Sequence, residues 1–284
     1  MIFVLWVDFV CKVPIVTMMF AYSEDKISCF TFKLCYFENK DKSMNYKNII
    51  EEFLGSENIF LDRRKTLIVL LGSFADFDSF EYAQQLSGQV KRLNENSVDL
   101  MLVGIGSEKS KEFFCRFNKI DIENVIALRN ADLHKKLNLN VGFVSQLPSI
   151  INLLIMCAGI NSRGTIKEVL RGYLGDRNSK SLFDYDEDIK IGPFSLFKGK
   201  MFDIFSKKQN LRPFELATRR LMNMVEILSN WNIYVPDPSF LTQRGATILF
   251  NENDEVLYNF IPDNLLGYSS NMTSPLSFLE ENLI

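Results

Sequence analysis

A chain of 284 residues with 47% hydrophobic content is large enough for one elaborated domain or two small ones and apolar enough for a packed core, which excludes disordered and fibrous classes. A net charge of -3 excludes a general nucleic-acid binder, because neutralising phosphates takes a clustered basic surface. Five cysteines, at positions 11, 29, 35, 115 and 157, form no C-x-x-C pair and no zinc spacing, and the single histidine, His134, leaves nothing for Ser-His or Cys-His catalysis. A reducing compartment is expected, with no metal and no cofactor.

Residues 1 to 43 open with MIFVLWVDFVCKVPIVTMMF, where Asp8, Lys12 and Pro14 interrupt the apolar run before it reaches the ~20 residues a membrane-spanning helix needs. No basic n-region precedes it, so it does not read as a secretory signal. The segment is expected to be a non-native upstream extension or an unstructured stretch, with Met44 as the natural start. Its rival reading is targeting or peripheral association with a membrane surface.

From Met44 a helix is expected over Tyr46 to Leu54, then a strand over Thr66 to Leu71. A helix from Phe77 to Leu93 follows, burying Phe77, Phe80, Ala83, Leu86, Val90 and Leu93 at three- and four-residue spacing. The strand Val98 to Ile105 leads to Ser107, which can cap a helix to Asn118 with Phe113, Phe114 and Phe117 inward. A short strand at Asn124 to Leu128 and a helix near Leu133, with His134 on its exposed side, complete a βαβαβα half with parallel strands.

The next hundred or so residues, about 146 to 240, read as a mostly helical insertion. SIINLLIMCAGI suggests a buried helix, and Thr165 to Leu174 a second one ended by Gly175. After Pro213, a long helix carries Phe214, Ala217, Leu221, Met224, Leu228 and Trp231 as an apolar stripe, expected to be core. Strands return at Ala246 to Phe250 and Val256 to Phe260, joined by a turn cluster suited to a hairpin, and a last helix is expected over Pro275 to Asn282.

The segment LIVLLGSFADFDSFEYAQQL, Leu67 to Leu86, runs from an apolar strand through a short turn into a helix, a junction where a cysteine would be activated by unpaired N–H groups and the helix dipole. With VDLMLVGIGSEKSKEFFCRF, ALRNADLHKKLNL and QRGATILFNENDEVLYNF it resembles the peroxiredoxin-like branch of the AhpC/TSA family. The likeness covers residues 44 to 284 in order. D-F-D-S and the blocks RGYLGDR, RPFELATRRLMNM and YVPDPSFLTQRG resemble a cyanobacterial and plastid group within it. The resemblance implies an α/β thioredoxin-like fold with a helical insertion before the C-terminal β-hairpin. It places Asp76 and Ser79 at the two cysteine positions and implies a cytoplasmic setting, cyanobacterial cytosol or plastid stroma, with thylakoid association as an extension of that.

Three groups of residues carry candidate chemistry. Asp76 and Ser79 occupy the vacant turn; with no histidine base beside it, Ser79 reads as a helix-start residue, and Asp76 and Asp78 as acids that complement the dipole. Cys115, beside Arg116, is the alternative thiol, while Cys157 falls in an apolar helix. Arg171, Arg177, Arg212, Arg219 and Arg244, within the family-like blocks, read either as structural partners of acids such as Glu168, Asp176 and Glu215 or as an anion or protein-partner site, with Arg244 reaching toward the vacant turn. GIGSEK lacks the third glycine of a dinucleotide fingerprint, and DYDED lacks the glycine and glutamate of a calcium loop, so the latter reads as a solvated acidic loop. The leading expectation is a non-catalytic binding or accessory protein for a protein partner or small anion. The alternatives are a peroxide-reducing antioxidant enzyme working through Cys115 and a structural subunit at the thylakoid surface.

Overall fold

The computed structural model describes residues 3–10, 13–21, 27–33, 45–55, 64–191, 194–204 and 210–282, the first three stretches and 194–196 by backbone alone. The chain divides into two units, Met1–Met44 and Asn45–Ile284. In the first, β1 (Phe3–Val10), β2 (Val13–Ala21) and β3 (Ile27–Lys33) form an antiparallel meander that pairs Phe3 with Phe20 and Ile15 with Lys33. The segment expected to be an extension or unstructured is therefore strand wherever its backbone is described.

The second unit opens with α1 (Tyr46–Leu54), capped by the Asn45 side chain, and β4 (Lys65–Leu70), whose residues after Lys65 and Thr66 are wholly apolar. The turn after β4 leads into α2 (Phe77–Ser87), and α3 (Val90–Glu95) continues it after a break at Gly88, which splits the single helix expected to Leu93. β5 (Val98–Ile105) and α4 (Glu108–Asn118) match expectation, and Ser107 and Ser110 form a reciprocal capping box that satisfies two amides at the α4 start. β6 (Val125–Leu128) and α5 (Asp132–Lys136) close this half. Gly104 and Gly106 have a packing role: a Cβ on either would lie 2.6 and 2.7 Å from the Phe74 ring, so the glycines make room for that side chain.

The insertion comprises α6 (Ser149–Cys157), α7 (Thr165–Leu174), β7 (Asp176–Lys180), β8 (Asp188–Ile191), β9 (Phe194–Lys198), β10 (Asn210–Leu211), α8 (Glu215–Ser229) and α9 (Trp231–Tyr234). Two small antiparallel ladders, β7 with β10 and β8 with β9, interrupt what the sequence suggested as a mostly helical stretch. Residues 184–187 of DYDED are exposed, as a solvated loop requires. The chain ends with the hairpin β11 (Ala246–Phe250) and β12 (Val256–Phe260) and with α10 (Ser277–Asn282).

The central sheet runs β12-β11-β4-β5-β6, with β4, β5 and β6 parallel and the hairpin antiparallel to them. Parallel strands first and an antiparallel hairpin last, added beside β4, is the thioredoxin-like order. β4 and β11 lie at its centre with helices on both faces, hence their uninterrupted apolar runs. Phe80 of α2 meets Phe114 of α4 edge-on at 5.1 Å, locking these two helices over the sheet.

Three expectations fail in the insertion and beside β4. His134 is fully buried, because α5 folds its imidazole under the end of β4, where Nε2 donates to the Leu71 carbonyl at 2.8 Å. In α6, Ile150, Ile151 and Leu154 are exposed. In α8 the buried side chains are Glu215, Leu216, Asn223 and Ile227, while Phe214, Leu221 and Leu228 of the predicted core stripe are open to solvent. The stripe exists, but Phe214, Ala217, Leu221 and Met224 of it line a cavity.

Candidate functional site

The α2 N-terminus is built by the abrupt end of β4 at Gly72, whose amide donates to the Tyr268 hydroxyl at 3.0 Å. Asp76 caps α2 by accepting from the Asp78 amide at 3.4 Å, and its second oxygen accepts from Ser79 Oγ at 3.0 Å and Tyr268 at 3.2 Å. Ser79 and Tyr268 hydroxyls lie 3.0 Å apart. Ser79 is thus engaged with hydroxyl and carboxylate partners, which fits the first-turn structural role suggested by its sequence context.

Arg244 enters this turn from the residues just before β11 and is 1% exposed. Its Nε donates to the Thr242 carbonyl at 3.1 Å, Nη1 to Asp78 Oδ2 at 3.2 Å, and Nη2 lies 3.6 Å from Asp76 Oδ1, too long for a hydrogen bond. Asp78 Oδ2 also accepts from the Leu266 amide. Two buried carboxylates share one guanidinium, and the balance is uneven. Loss of water around Asp78, together with the neighbouring Asp76 charge, pushes its carboxyl up to about 8 against the pull of Arg244.

Asp76 and Asp78 of this cluster floor a cavity of about 490 Å³. One side is the turn itself, Ala75 to Asp78; Leu153 and Cys157 of α6, Val169 and Tyr173 of α7, and Ala217, Leu221 and Met224 of α8 supply the walls, with Leu265 and Leu266 closing another side. The cavity therefore lies where the helical insertion meets the thioredoxin-like core. Its α8 wall takes Ala217, Leu221 and Met224 from the apolar stripe that the sequence marked. Arg220 of α8 reaches back to α2, donating to Glu81 at 2.8 Å and to the Glu168 carbonyl at 2.8 Å, so the wall and the turn are tied together.

The other candidate arginines are placed as follows. Arg171 pairs with Glu168 at 2.8 Å and Asp176 at 3.7 Å, and Arg212 pairs with Glu215 at 2.9 Å and Asp203 at 3.0 Å. Arg219 lies over the Phe183 ring at 4.2 Å and donates to the Leu182 carbonyl, while Arg177 is exposed. Arg171, Arg212 and Arg244 are thus held by carboxylates, the structural alternative in the sequence reading, and the five do not converge on one anion cradle. Cys115 is buried in α4, and loss of solvation pushes its thiol up to about 11. Cys157 lines the cavity, and burial with the nearby Asp78 and Asp76 charges raises it to about 11 as well. Neither thiol is poised as a thiolate at neutral pH.

Sequence reasoning missed Tyr268, Glu81 and the cavity itself. The α8 stripe was assigned to the core, while Arg244 beside the vacant turn pointed to a site where the insertion meets the thioredoxin-like core.

A sequence profile described as AhpC/TSA antioxidant enzyme matches residues 85–264. The chain belongs to this family. The match runs from the end of α2 through β5, α4, β6, the insertion and both strands of the hairpin, and it begins after the Asp76–Ser79 turn. No curated protein and no solved structure matches the chain. Among the described residues, no helix of this family member is long and apolar enough to cross a membrane.

Proposed function

We propose that this AhpC/TSA family member is a binding protein without thiol chemistry, in which the turn that would present a redox cysteine has become the floor of a ligand cavity. The observation that carries the reading is the floor itself: Asp76, hydrogen-bonded to Ser79 and Tyr268 and ion-paired with Arg244, stands at the α2 N-terminus and lines an apolar chamber of about 490 Å³. A cavity of this size, mostly apolar with a few polar groups at one end, is the usual form of a small-molecule site. The excess of carboxylates at the floor favours a ligand other than the small anion expected from the sequence. A cyanobacterial or plastid setting, and any accessory role toward a larger partner, belong to the same proposal and rest on the resemblance alone.

The family description supports a second reading, peroxide reduction through a cysteine, for which Cys157 on the cavity wall is better placed than Cys115. A hydroperoxide-reduction assay with thioredoxin or glutathione separates the two. No turnover above that of the Cys115→Ser, Cys157→Ala protein is expected, and cysteine-dependent turnover would sink the binding-only reading. Cysteines introduced by Asp76→Cys and Ser79→Cys should ionise below the free value of about 8.5, since the helix amides and Arg244 remain to stabilise a thiolate.

A further inference from the structure

The cavity has more to say about its ligand than its size. Among the described residues with a left-handed backbone, the two bulky apolar ones, Phe214 at φ 66° and Leu266 at φ 62°, both line it. A side chain branched or bulky beyond Cβ resists this conformation, and such residues concentrate where a site needs a shape the chain would not otherwise adopt. Phe214 meets Tyr173 edge-on at 6.1 Å at the mouth, where both rings remain 43% and 51% exposed, and Leu266 brings its amide onto Asp78.

The floor is one-sided in charge. Of the charged side chains that line the cavity, Asp76 and Asp78 outnumber Arg220, which is paired with Glu81, and the Arg244 guanidinium behind them is shared between the two aspartates. Both Asp76 oxygens are taken. The bonds to the Asp78 carboxylate all fall on Oδ2, which leaves Oδ1 for the cavity that Asp78 lines. An anionic head group would meet uncompensated negative charge in a poorly hydrated chamber, and a permanent cation would lose its water against mostly apolar walls for one partly neutralised acceptor.

We propose that the cavity binds an uncharged, largely apolar small molecule that carries one hydroxyl or amide N–H, with this donor at Asp78 Oδ1 and the apolar body between α7 and α8. The assignment rests on the binding reading above and narrows it to a ligand class.

The full chain is titrated with N-phenyl-1-naphthylamine, a neutral dye that fluoresces in apolar sites, and the bound dye is displaced with dodecanol, dodecyl methyl ether, dodecanoate or dodecylammonium. At about pH 9, above the value of about 8 to which burial raises Asp78, dodecanol is expected to displace the dye at about tenfold lower concentration than the ether, which lacks the donor, and than either ion. Asp78→Leu should erase the advantage of dodecanol over the ether while dye binding persists. Ala217→Trp should fill the chamber and abolish dye binding with the circular dichroism unchanged. Should Ala217→Trp fail to fold, Leu221→Glu at the rim serves in its place and should weaken every neutral ligand. Dodecanoate or dodecylammonium displacing the dye as well as dodecanol would overturn the ligand class and leave the binding reading standing. No dye binding by the wild-type chain would overturn the cavity assignment, while cysteine-dependent peroxide turnover, measured separately, is what overturns the binding reading.

Discussion

Two buried arginines, Arg212 and Arg244, each sit between two carboxylates, and they differ in how completely the surroundings finish the work. Arg212 donates from Nε and both Nη atoms, to Glu215, Asp203 and the Phe183 carbonyl, and Glu215 in turn accepts the Leu182, Phe183 and Arg212 amides. Asp203 is partly open to water. Around Arg244 the backbone supplies less: Nη2 has no hydrogen-bond partner among the described residues, and Asp78 accepts one amide. A saturated network fixes a fold, here joining the β7–β10 ladder region to the start of α8. An unsaturated one beside a cavity keeps capacity for a ligand.

The largest effect that tests this contrast is at the saturated cluster. Arg212→Met should cost about 3–5 kcal/mol in urea unfolding, because it takes the guanidinium away from the fully buried Glu215. A variant within ~1 kcal/mol of wild type would dissolve the comparison.

Arg244→Met should behave differently. Above about pH 8, where Asp78 is largely ionised in the wild type, it takes the guanidinium away from both carboxylates, a loss of about 3 kcal/mol. Near pH 5 Asp78 is protonated with or without Arg244, so only Asp76 loses an ionic partner and the loss should be smaller. If Arg244→Met is as damaging in acid as in base, the floor is a structural ion pair like the other.

Several of these contacts were legible from the sequence and others had no means of being so. The hairpin at 246–260, β5 and the Ser107 cap follow from local pattern and turn chemistry, which the tertiary structure leaves unchallenged. Glu168, Asp176 and Glu215 were named as partners for nearby arginines, and they sit three to five residues from Arg171 and Arg212 along the chain. Arg244 and Asp78, by contrast, are 166 residues apart, and Arg220 and Glu81 are 139 apart, so no spacing announces them. The α8 stripe was visible and misassigned, because periodicity shows that a face is apolar without showing what covers it. His134 was misplaced for a related reason: charged neighbours in ADLHKKL suggested a wet helix, whereas the position of α5 beside β4 put the imidazole inside.

The smallest effect is a pair of opposed pH slopes. Burial lowers His134 from 6.5 to about 4, so its contribution to stability is intact above pH 6.5 and is lost as the pH falls toward 4. Its Nδ1 has no hydrogen-bond partner among the described residues, leaving no acceptor for a second proton. Asp78 is raised from 3.8 to about 8, so its contribution is full below pH 3.8 and is lost as the pH rises toward 8. Each group changes the unfolding free energy by at most about 1.4 kcal/mol per pH unit, with opposite sign between pH 4 and 6.5. In the wild type the two should largely cancel over that interval, and from pH 6.5 to 8 stability should fall through Asp78 alone. Asp78→Asn, which keeps an oxygen for Arg244 and Leu266 and leaves one carboxylate per guanidinium, should cost less than ~1 kcal/mol in acid, match or exceed wild type near pH 8, and expose the acid-side loss from His134. His134→Gln, which preserves a donor to Leu71, should expose the opposite slope. Urea midpoints measured across this range decide it: parallel curves for wild type and Asp78→Asn would mean that Asp78 stays ionised throughout, held by Arg244 as tightly as Glu215 is held by Arg212.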